Sequence, residues 1–207
     1  MKPVVLGLFL LTSGYLAWFS AAQNPTTPAI QPGLDVRISY RYYPVTGKTV
    51  ERIARSMYEN GPRSEEDAFY AATSSQTGFS YRTLKGERYC RLDNVGVRTD
   101  VVMLLPQWVD RADAPEGLRR AWDKFLDRLL THEGEHYRIV DKSTRQLFHA
   151  LAGMRADDCA FLDSQAKITV EEMSAMQTAL NVSFDERTDH GTGDGAVWPP
   201  PGYRENP

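Results

Sequence analysis

The sequence predicts an α+β domain, with strands in its first half and long helices in its second. Three observations predict it. Apolar residues alternate along stretches between Val36 and Leu105, they recur every three or four residues between Leu118 and Leu180, and the long helical stretch carries His132-Glu133-Gly134-Glu135-His136. A period of two marks strands and a period near 3.6 marks helices, and segregated runs of each favour α+β.

The chain of 207 residues opens Met1-Lys2-Pro3, runs apolar from Val4 to Phe19 and reaches Ser20-Ala21-Ala22. One cation, a short apolar core and small exit residues describe a secretory signal peptide over residues 1–22, with cleavage expected after Ala22. Thr12, Ser13 and Gly14 break the run, which is short for a membrane span, so no stable membrane insertion is expected after cleavage. An uncleaved N-terminal anchor is the alternative. About 185 residues would remain, enough for one domain with a sizeable core.

Of 24 basic side chains only Lys2 lies in the leader, which leaves 23 against 27 acidic ones and a net charge of −4. No Lys/Arg-rich tract occurs, so a nucleic-acid partner is not expected. Cys90 and Cys159 are the only cysteines. In an exported protein they form one structural disulfide most simply, whose closed loop would restrict the unfolded chain by about 4 kcal/mol in the entropy model.

Residues 23–34 are a polar, Pro-rich spacer, residues 35–198 the domain, and 199–207 a Pro-rich tail. The domain begins with a half-buried strand on Val36, Ile38, Tyr40 and Tyr42. Thr49 caps a short helix with Val50, Ile53, Ala54 and Met57 on one face, and Asn60-Gly61-Pro62 ends it. Ala68–Thr73 and Phe79–Leu84 read as short strands across a Ser/Gln/Gly turn. Val95 to Leu105 alternates more clearly, stops at Pro106, and could hold an extended substrate by edge pairing. Asp113-Ala114-Pro115-Glu116 has the form of a capping box. It opens an amphipathic helix of about ten turns that ends near Gly153. A second helix, with Leu162, Ala166, Val170, Met173, Met176 and Leu180 in phase, breaks at Asn181.

His132 and His136 lie four apart on the apolar stripe of the long helix, where both imidazoles can grip one metal ion. Buried imidazoles need partners, and a stripe of Leu, Trp and Phe supplies none. Zinc suits two neutral imidazoles, and Glu133 stands where a general base can take a proton from water. Glu135 reads as a solvated helix residue. Gly134 costs about 1 kcal/mol relative to alanine, which either a close backbone approach explains or nothing does. The third ligand is open among His190, Glu171, Glu172 and Asp185: Glu171 and Glu172 lie on the next helix, and His190 lies in a loop with Asp185 or Asp189 available to orient it. Asp141 lies on the far side of the helix from the pair, and His149 reads as structural. Tyr137, Arg138 and Tyr203 are candidate oxyanion donors among which the spacing does not choose.

From Tyr42 to about Val197 the chain resembles a bacterial family of predicted secreted zinc-dependent proteases, domain of unknown function 922. The matching residues are Tyr42-Tyr43 to Gly47, Ser56-Met57 with Gly61-Pro62, Cys90, the Trp122 helix running into His132–His136, and Asp185-x-x-Thr188-x-His190-Gly191. The resemblance implies a zincin-like zinc metallopeptidase. His132, His136 and His190 would be its ligands, Glu133 the catalytic base, and Asp185 and Thr188 the groups behind the ligands. A peptide or protein substrate and a periplasmic or extracellular location follow. The rival expectations are a non-catalytic, zinc-stabilised cell-envelope protein, with Asp185 or Glu172 closing the site, and a metal-free binding module.

Overall fold

The computed structural model describes residues 8–11, 30–64 and 67–204. Its elements are β1 (Leu8–Leu11), β2 (Gly33–Val45), α1 (Val50–Asn60), β3 (Ala72–Lys85), β4 (Cys90–Trp108), α2 (Glu116–Gly153), β5 (Arg155–Ala156) and α3 (Cys159–Thr188). The result is mixed α+β, as the two periodicities predict. The sheet runs β1-β3-β4-β2, with β5 paired to the start of β4. β3 and β4 form an antiparallel hairpin, whereas β2 lies parallel to β4 and returns through α1.

Of the expected signal peptide, only residues 8–11 are described. They pair antiparallel with β3, Leu8 opposite Gly78 and Leu11 opposite Ser75. The rest of that segment, and residues 23–29 of the spacer, lie outside the described residues. No helix among the described residues is long and apolar enough to cross a membrane.

Two packed clusters hold the fold. Tyr43, Val45, Ile53, Met57, Met103, Leu105, Trp108 and Trp122 join the first half of α2 to α1 and the ends of β2 and β4. Phe79, Tyr81, Leu92, Val97, Leu147, Leu151, Leu162 and Val170 join the second half of α2 to the hairpin and α3. Each fully buried Leu, Val or Phe contributes about 1.5–3 kcal/mol. Cys90 and Cys159 are disulfide-bonded, which ties the start of β4 to the first residue of α3.

Several boundaries differ from the sequence expectation for physical reasons. Ala68–Thr73 and Phe79–Leu84 are not two strands, because Ala72–Lys85 is one strand whose Ser74–Gly78 centre pairs with β4. Val95–Leu105 is no edge: β4 is flanked by β3 and β2, so its backbone is committed on both sides. Pro106 does not stop β4, which continues to Trp108. On β2, Tyr40 and Tyr42 are exposed, while Tyr43 and Val45 enter the core against α1. Thr49 caps α1 as expected, accepting from Arg52 N, but α2 starts after Pro115 with no side-chain cap. Asp113 instead lies in a 3-10 turn, Arg111–Asp113.

The largest difference is α3. It does not break at Asn181 but runs on to Thr188. Asn181 is buried, and its side-chain amide donates to Gln177 O at 3.0 Å, so it costs the helix little. The two further turns carry Phe184 and Asp185 onto α2.

Candidate metal centre

His132, Glu133 and His136 come from the middle of α2, where they are only 4 %, 5 % and 9 % exposed. Phe184 stacks on the His132 ring at 4.7 Å and meets the His136 ring edge-on at 5.0 Å. From α3, Asn181 and Asp185 reach the same place, being four residues apart and so on one helix face.

Asn181 fixes the state of His136. With its amide nitrogen committed to Gln177 O, its Oδ1 lies 2.8 Å from His136 Nδ1 and can only accept. Nδ1 therefore carries the proton, and Nε2 faces Asp185 Oδ1 at 2.9 Å. In a neutral imidazole that nitrogen is an acceptor, so an acceptor would meet a carboxylate oxygen. The arrangement calls for a positive charge there, a proton or a metal cation.

The same oxygen, Asp185 Oδ1, lies 3.4 Å from His132 Nε2 and 3.9 Å from His190 Nδ1. Burial would raise the Asp185 carboxyl, but contacts with His132 and His136 outweigh it and hold the group well below the usual carboxylate range. For His136 burial works downward, yet Asp185 and Asn181 prevail and its basicity rises above that of a free imidazole. Burial pushes the Glu133 carboxyl up, against the opposing pull of the Thr73 hydroxyl and both histidines. Thr73 Oγ1 donates to Glu133 Oε2 at 2.6 Å.

One ligand atom each from His132, His136 and Asp185 lies within 4.8 Å of the others, so these three could hold a metal ion. Two imidazoles and a carboxylate suit a first-row divalent metal such as zinc. His190 is not in that triangle. It is half exposed, one step outside Asp185, with its ring edge-on to Phe69 at 5.2 Å. Glu171 and Glu172 are exposed on α3, and Asp141 pairs with Arg145 at 2.8 Å. Thr188 bonds back to Phe184 O at 2.9 Å, and its own carbonyl receives Gly193 N. His149 meets Phe148 edge-on, and Arg138 pairs with Glu135 at the surface. Tyr137 and Tyr203 pack against the first core cluster.

A tight turn follows α3. Asp189 and His190 have φ of 49° and 50°, left-handed values uncommon for non-glycine residues, and Gly191 has 86°. A Cβ on Gly191 would come within 3.1 Å of His132 Cγ and 3.2 Å of Nδ1, so glycine lets the backbone lie against the ring. Sequence reasoning singled out neither Thr73, Asn181, Phe184 nor Asp194 for the site. The Asn181-x-x-x-Asp185 spacing was a usable signal for one of them once α3 was carried past Asn181.

The model of a family described as bacterial protein of unknown function (DUF922) matches residues 40–191. No curated protein and no solved structure matches the chain.

Proposed function

The chain belongs to DUF922, a family of bacterial proteins of unknown function, and for this member we propose a zincin-like zinc metallopeptidase, exported and acting on peptide bonds. The observation that carries the reading is the triangle of His132, His136 and Asp185 with a buried carboxylate, Glu133, beside it on the same helix. In this reading His132, His136 and Asp185 are the metal ligands, and His190 stands behind Asp185.

When bound, a zinc ion would lower the pKa of a water molecule to about 7 and polarise the carbonyl under attack. Glu133 is placed to accept a proton from the attacking water as it adds to the peptide carbonyl, and to deliver it to the departing amine nitrogen. Thr73 aims the carboxylate by donating to Oε2, which leaves the other oxygen to take the proton. Burial keeps Glu133 basic enough to serve, because its charged form is poorly solvated. Phe184 shields the two imidazoles and strengthens electrostatic interactions around them.

A purely structural site would be closed by a fourth protein ligand. Only three donors gather among the described residues, and Glu133 is engaged by Thr73, which favours the catalytic reading. The test is Glu133→Gln assayed on a quenched-fluorescent peptide mixture. The variant should keep zinc and lose hydrolysis by about 10²- to 10⁴-fold. Hydrolysis at the wild-type rate would overturn the mechanism.

A further inference from the structure

His132 and His136 are anchored unequally. Nδ1 of His136 is held by Asn181 Oδ1 at 2.8 Å, whereas Nδ1 of His132 is buried with no hydrogen-bond partner among the described residues. A buried polar nitrogen left unpaired is costly, and each such group in a folded protein calls for an explanation. Asp194 Oδ2 lies 3.8 Å from it, beyond hydrogen-bond reach but less than an ångström outside it.

The turn after α3 is built to bring that carboxylate there. Gly193 N bonds to Thr188 O at 2.9 Å, Asp194 N to Gly191 O at 3.1 Å and Ala196 N to Gly191 O at 2.9 Å. Those bonds fix Asp194 from both sides. Gly191, with its φ of 86°, lays the backbone against the His132 ring, where a Cβ would sit only 3.1 Å from Cγ. Nothing in the chemistry of the three ligands accounts for this arrangement.

We propose that Asp194 is the positioning residue of His132: its carboxylate accepts the Nδ1–H and so presents Nε2, as a lone pair, to the metal. The inference rests on the metal-binding reading. A metal-ligating histidine commonly gives its second N–H to a carboxylate or carbonyl, which fixes the tautomer and the ring orientation. Asn181 does this for His136 with a neutral oxygen, and Asp194 does it for His132 with a charged one. The approach needed is small, because Asp194 Oδ2 already lies 3.8 Å from Nδ1 and its side chain is half exposed.

The experiment uses the full chain and Zn²⁺ in competition with a chromophoric chelator. Asp194→Ala should weaken zinc binding about 10- to 100-fold. Asp194→Asn should restore most of that loss, since the amide oxygen accepts the same hydrogen bond. With ¹⁵N-labelled histidine, zinc-loaded wild type should show a slowly exchanging His132 Nδ1–H, lost in Asp194→Ala and retained in Asp194→Asn. The proposal is overturned if Asp194→Ala holds zinc as tightly as wild type. It is equally overturned if zinc-loaded wild type lacks that protected proton, an outcome that requires no variant to fold. A wild-type protein that takes up no zinc overturns the metal reading itself, and this proposal with it.

Discussion

Thr73 and Glu133 meet at 2.6 Å across the joint between β3 and α2, the hydroxyl donating to a carboxylate that is almost fully buried. A strand residue thus holds the proposed base, sixty positions away in sequence, against the helix that carries it.

Removing that contact has a signed consequence. The hydroxyl favours the charged carboxylate, so Thr73→Val should raise the Glu133 pKa further above its ordinary value. The acid limb of the pH–rate profile should then move to higher pH, and kcat/KM near neutrality should fall about tenfold. Zinc content should not change. An acid limb in its wild-type place would show that Thr73 does not act on the base.

Stability should depend on pH in opposite ways with and without metal. His136 is raised in the folded protein, so its contribution is complete below about pH 6.5 and is lost as pH rises through the folded value. Asp185 is depressed, so its side of the same interaction is present above about pH 4 and is lost as pH falls through its folded value. Metal binding needs the neutral imidazole and therefore strengthens as pH rises. Thermal unfolding at about pH 5.5 and about pH 8 checks this, once with chelator and once with zinc. The zinc-induced rise in midpoint should be larger at the higher pH. An equal rise at both would contradict the linkage.

Gly134 lies between His132 and His136, and apart from its own helix backbone nothing among the described residues comes within 4 Å of the place a Cβ would occupy. No close backbone approach explains it. Gly134→Ala should therefore stabilise the protein by about 0.5–1 kcal/mol, with zinc affinity unchanged, as read by denaturant midpoint and metal titration. Destabilisation would mean that the space is used by something other than this chain.

How far the sequence alone reaches is clearest from α3. Its apolar phase is legible through Leu180, but Asn181 reads as a breaker because asparagine so often ends helices. Its side chain is satisfied within the helix and by His136, a long-range partner that no local pattern reveals. Once the helix is stopped there, Asp185 becomes a loop residue, one ligand candidate among several rather than the one that shares a helix face with Asn181. His132, Glu133 and His136 are legible because four-residue spacing on a helix is local geometry. The Cys90–Cys159 bond is legible because there was no other pairing to consider. Thr73 and Asp194 were not, since each meets the site across more than fifty residues. The continuous β3 was missed for a related reason: Ser74–Gly78 has turn-like composition, and its pairing with β4 overrides that preference.

The central claim is a metal held by His132, His136 and Asp185, and the most direct test is zinc per protein molecule. Wild type, His132→Ala, Asp185→Ala and His190→Ala should be compared as full chains after dialysis. The account predicts about one zinc in wild type, almost none in His132→Ala or Asp185→Ala, and near-wild-type content in His190→Ala. Zinc retained by Asp185→Ala but lost from His190→Ala, or no zinc in wild type, would contradict it.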